Sequence, residues 1–109
     1  ARSMTNVQLK LMEQMNYSSP PVFIIMGWQV AESLELLEEE NFESIHEEME
    51  EIVNLRKEAR DSAKKAKINP DKVNVLLDLA WDVSMDCDTK NAASAQKRLK
   101  RMKKILETV

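Results

Sequence analysis

SIHEEMEEIVNLRKEARDSAKKAK, residues 44–67, is the stretch whose reading decides the fold class. Ile45, Met49, Ile52, Ala59, Ala63 and Ala66 recur at spacings of three, four and seven, with Val53 alongside. That period is the one-sided apolar stripe of an amphipathic helix. The stretch is acidic where it begins and basic where it stops, which complements the helix macrodipole. Ser44, with Glu47 three residues on, predicts a capping box at the start of one long helix. The apolar residues shrink along it, from Ile and Met to three alanines. The alanine end is expected to approach a neighbour closely, in this chain or in another subunit, or to leave the core. Arg56 falls in the middle of the stripe. Burying it unpaired would be costly, so it either snorkels outward or meets a carboxylate.

Composition extends this reading to the whole chain. A length of 109 residues suits one domain, 1–109, with a core of its own. One Gly and three Pro leave little material for β-hairpin turns, while good helix formers dominate. The fold class expected is all-α: an antiparallel bundle of four main helices plus a short N-terminal one. The net charge of −3 predicts no polyanion partner by itself. A lone Cys87 excludes an intrachain disulfide and a Cys-based zinc site, and fits a reducing, cytoplasmic setting or a virion. No basic region followed by an apolar run marks a secretory signal, and Ala1-Arg2-Ser3 ahead of Met4 reads as a tag remnant. The longest apolar run, Val22–Ala31, is far short of the roughly 20 residues a bilayer span needs.

The remaining segments follow in order. Residues 4–19 form an N-terminal arm or a short helix, with Val7, Leu11 and Met15 on one side. Pro20-Pro21 opens a second helix, to about Glu39, on which Phe23, Met26, Val30, Leu34 and Leu37 make the main stripe. Ile24, Ile25 and Trp28 point elsewhere, so its first half is apolar all round, as in a central helix or a subunit interface. Asn69-Pro70-Asp71 starts a further helix, to about Cys87, through an Asn cap and a Pro in the first turn. Asp88-Thr89 is expected to turn the chain and cap the last helix, about 90–108.

Charges fall in blocks. Residues 32–51 hold ten acids and no Lys or Arg; residues 56–67 hold six bases against two acids. Residues 68–88 hold five acids against one base, and 89–109 seven bases against one acid. Opposite blocks on adjacent helices attract and fix register. Alternatively the basic blocks contact a polyanion, and the acidic ones a basic partner.

Two surfaces emerge as candidate sites. Lys90, Lys97, Lys100, Arg101 and Lys104 share a side of the last helix, with Arg98 and Lys103 flanking, so the row could track phosphates. Phe23, Ile24, Ile25 and Trp28, with Arg56, Ala59 and Ala63 on the long helix, are the candidate protein interface. Lone His46 reads as a surface residue, Cys87 as a small buried thiol with no base to activate it, and Trp28, Trp81 and the methionines as core, although Val75 and Leu79 among the acids of the 70–87 helix, with Trp81 at their edge, suggest a second contact surface. No cofactor is implied.

The segment 73–107 resembles the histone-H1-like helical hairpin of some bacteria and their phages. Asp82, Asn91, Ala92, Ala93, Lys97, Arg98 and Lys103 carry the likeness, which implies nucleic-acid contact through the last helix and a viral or bacterial source. A fainter, incomplete resemblance is to the all-α MazG-type nucleotide pyrophosphohydrolases, which hold Mg²⁺ with E-x-x-E on one helix and E-x-x-D on the next. Glu48-x-x-Glu51 or Glu32-x-x-Glu35 would supply the first half. Asp78 and Asp82 are preceded at the needed spacing by Val75 and Leu79, so the second half is incomplete. The expectation is an interaction protein without catalysis, self-associating or binding a partner. Nucleic-acid association and a degenerate pyrophosphohydrolase are the alternatives.

Overall fold

The computed structural model describes residues 19–109. The proposed N-terminal arm or helix lies outside the described residues. Among them there are five α-helices and no strand: α1 Pro21–Glu38, α2 Phe42–Asn54, α3 Arg56–Ala66, α4 Pro70–Asp88 and α5 Ala92–Leu106.

Helix α1 packs on α2 and α5, and α4 packs on the same two, so these four close a ring around one core. Phe23, Met26 and Val30 from α1, Ile45, Met49 and Ile52 from α2, Val73, Leu76 and Val83 from α4, and Leu99, Met102 and Leu106 from α5 fill it. Helix α3 packs mainly on α4 and also touches α1 and α2.

The stretch 44–67 is two helices rather than one. Leu55, at φ −85° and ψ 5°, ends α2 and leads into α3 with no intervening loop. No Pro or Gly lies there, so the cause is not a breaker residue. A straight continuation would carry Arg56 inward, one turn after buried Ile52. The bend leaves Arg56 exposed, with its Nη1 donating to Val53 O at 3.1 Å. Ala59 and Ala63 then regain the core, while Ala66 stays outside. The alanine end therefore meets a close neighbour within its own chain, and Arg56 has no carboxylate partner among the described residues.

Two expected caps are also corrected. Asn41, not Ser44, caps α2, its Oδ1 accepting from Ser44 N at 3.2 Å. Asn91, not Thr89, caps α5, its Oδ1 accepting from Ser94 N at 3.2 Å. In both Asn-x-x-Ser segments the serine supplies the backbone N–H while the asparagine supplies the oxygen. Asn69 caps α4 as expected, accepting from Asp71 N at 3.0 Å, with Pro70 at the first position.

Three helices end in the same way. Residue Glu40, Lys67 or Lys90 takes a left-handed conformation, with φ 54°, 57° and 55°. The next residue's N–H returns to the carbonyl five residues back: Asn41 to Leu36, Ile68 to Ala63, Asn91 to Asp86, at 3.0, 2.8 and 2.8 Å. These are Schellman closures made without glycine. Asn41 and Asn91 thus close one helix through the backbone and cap the next through the side chain, which makes both corners tight.

Candidate interaction surfaces

The buried polar groups tie helices together. Asp86, on the α5 side of α4, is almost wholly buried, and both its oxygens accept from Arg98 Nη1 at 2.7 and 2.8 Å. The same Nη1 donates to Ser94 Oγ at 2.9 Å, and Arg98 Nε lies 4.0 Å from Asp82. The bond to Asp86 holds the guanidinium still further above its ordinary range. Arg98 is therefore a clasp between α4 and α5, and its charge is already matched. Ser19 Oγ donates to Val109 O, which joins the start of α1 to the residues after α5.

The other cations singled out on the last helix differ from Arg98. Lys97, Lys100, Arg101 and Lys104 are exposed on one side of α5, and Lys90 is exposed at the preceding corner. None has a carboxylate within ion-pair distance among the described residues. Three turns of helix carry them on a rigid support, which is the geometry the phosphate-tracking reading needs. No exposed aromatic of the described residues lies on α5, so stacking is not part of this surface.

The apolar candidates separate into core and surface. Phe23, Ala59 and Ala63 are fully enclosed by the chain's own helices and are not available to a partner. Ile24 is half-buried. Ile25 and Trp28, one turn apart on the outside of α1, are 40% and 39% exposed. Trp81 and Met85 on α4 are 58% and 56% exposed, so two residues expected in the core lie on the surface instead. The helix period gave the signal: both fall opposite Leu76, Ala80 and Val83, among Asp78 and Asp82. Beside Trp81 runs a groove of about 480 Å³ between α2 and α4, lined also by Met49, Glu50, Val53, Asn54, Arg56 and Ser84.

The acidic residues do not converge. Among the described residues no group of three His, Cys, Asp or Glu side chains is placed to hold a metal ion. Glu48 is buried, Glu51 accepts from Gln29 Nε2 at 2.9 Å, and Asp78 is on the outside of α4. His46 is not a bare surface residue. Its Nδ1 is 3.3 Å from Glu50 and its Nε2 3.6 Å from Asp88, so it links α2 to the end of α4. Cys87 is buried as expected. Burial first, then Asp86 and Asp88, pushes its thiol up to about 11, which keeps it protonated and unreactive at neutral pH.

No protein-family model matches the chain, and no curated protein or solved structure is similar to it at a significant level.

Proposed function

We propose that this protein acts by binding and not by catalysis, as a helical bundle that self-associates through the outside of α1. The observation that carries the reading is Ile25 and Trp28, exposed one turn apart while the core is filled without them. Large apolar residues paired on one exposed helix face favour an interface. We further infer that the ring helices run antiparallel. Ser19 beside Val109 and His46 beside Asp88 are pairings expected of neighbours in opposite senses. The single buried thiol suits a reducing compartment such as the cytoplasm. The test is molar mass by light scattering across concentration. A dimer or larger species that Ile25→Ser with Trp28→Ser converts to monomer supports the reading; a monomer throughout removes it.

A second reading is nucleic-acid contact through α5, favoured by the unpaired row of Lys97, Lys100, Arg101 and Lys104. It predicts retention on DNA that weakens steeply with salt. Lys97→Glu with Lys100→Glu and Arg101→Glu would abolish retention. Arg98 is left out of that set because its loss would open the α4–α5 clasp. No retention at low salt by the unaltered protein ends this reading.

A further inference from the structure

We propose that the outer face of α4 is a docking site for a basic amphipathic helix of a partner protein, seated along the groove between α2 and α4. The proposal rests on the reading of the protein as a binding module, but it concerns a different surface from the α1 pair. Trp81 and Met85 stand one turn apart and are the two most exposed large apolar residues described. Met49 and Val53 continue the apolar strip into the groove. A broad tryptophan beside a flexible methionine, with a shallow trough next to them, is the composition of an interface centre.

Charge selects the occupant. Asp78 and Asp82 flank Trp81, Asp71 and Asp88 extend the same side of α4, and Glu50 faces them from α2. The one base on α4, Lys72, donates to Thr108 O and Oγ1 at 3.3 and 3.2 Å, away from this face. Asp82 is near Arg98, and His46 lies between Glu50 and Asp88, whereas Asp78 has no cationic partner among the described residues. An apolar centre inside a carboxylate rim repels nucleic acid, anionic lipid and acidic helices alike. It matches a segment that is apolar on one side and basic at the edges. Arg56, the one base lining the groove, stands at its α3 end, where it meets the negative carbonyl terminus of a bound helix. A second copy of this chain does not fit. Its basic helices α3 and α5 expose no large apolar residue beside their lysines and arginines.

The experiment uses the full chain carrying Trp28→Phe, so that emission reports Trp81. The probe is a synthetic helical peptide with Leu at helical spacing and Lys elsewhere. Its Leu/Glu counterpart and oligolysine serve as comparisons. The Leu/Lys peptide is expected to shift Trp81 emission to the blue and to bind at least tenfold more tightly than either. Met85→Gln and Asp78→Asn should each weaken it severalfold, and Asp78→Lys with Asp82→Lys should turn the preference toward the Leu/Glu peptide. Gln96→Ala, on the exposed side of α5, should leave binding unchanged. Equal binding of the three peptides, or indifference to Met85 and Asp78, overturns the proposal. So does an oligomer that Trp81→Ser with Met85→Ser converts to monomer, since the occupant is then a second copy. Failure here leaves the light-scattering test of α1 standing, and failure of that test leaves this one standing.

Discussion

The left-handed corners at Glu40, Lys67 and Lys90 are places where residue chemistry opposes backbone geometry. That conformation costs a residue with a side chain about 1 kcal/mol or more, because Cβ crowds the backbone. The chain's one glycine, Gly27, lies buried inside α1 instead. Lys90→Gly should therefore stabilise the protein by about 0.5–1 kcal/mol, read as a higher urea midpoint. The side chain contributes no cap there, so the gain is reduced only by the greater freedom of glycine in the unfolded chain. Asn91→Ala should do the reverse by about 1 kcal/mol, by stripping the cap from α5. Cys87 gives a pH signature. Its thiol titrates near 9 when unfolded and about 11 when folded, so the folded state holds the proton more tightly. Stability from this group is complete below pH 9 and falls as pH rises toward 11. Cys87→Ala should flatten that part of the profile in denaturation midpoints measured across it.

At the scale of elements, the break at Leu55 falls where the apolar register meets its one charged side chain, Arg56. The apolar period of residues 44–67 made the helical conformation and its buried side legible: Ile45, Met49, Ile52, Ala59 and Ala63 all face the core. The interruption was less legible, because no Pro or Gly announces it. What the period did show was the conflict, an arginine in an apolar register, and the bend resolves it by letting Arg56 reach water. The caps were misread for a related reason. Ser44 and Thr89 are good cap residues by type, but the tight left-handed corners place Asn41 and Asn91 first. Propensity cannot rank neighbouring candidates when the preceding helix end decides the geometry. The surface apolar pairs were half legible: the acidic side of the helix with Trp81 at its edge suggested a second contact surface, while bulk suggested core for Trp81 and Met85, which are both exposed. The stripe itself now yields a sharp contrast. Ile52→Ala should cost about 2–5 kcal/mol by leaving a cavity. Arg56→Ala, one turn on, should stay within about 0.5 kcal/mol. Equal losses at the two sites would mean that Arg56 is held by more than its bond to Val53.

At the scale of the molecule, the charge blocks acquire a spatial order. Within the ring α1, α2 and α4 are acidic, and α5 is the one basic member, lying between α1 and α4. Basic α3 packs against the same acidic helices from outside the ring. Among the described residues few close ion pairs join them, and the Arg98–Asp86 clasp is the shortest. The attraction therefore acts mainly across several ångströms of water-exposed surface, where salt screens it. This places the two roles of the α5 lysines in direct competition, and stability separates them. If they chiefly offset the acidic helices, Lys97→Glu with Lys100→Glu and Lys104→Glu leaves three acidic helices facing an α5 with no net charge to balance them. The urea midpoint should then fall at low salt and largely recover near 0.5 M, where the screening length is only a few ångströms. Close exposed pairs contribute only ~0.2–1 kcal/mol each and these lysines make none among the described residues, so the three reversals together should cost about 1 kcal/mol at low salt. The neutral set Lys97→Gln with Lys100→Gln and Lys104→Gln should fall about half as far. An unchanged midpoint at low salt would mean that the lysines do nothing for the fold. Their unpaired alignment on one side of α5 would then need a polyanion to explain it.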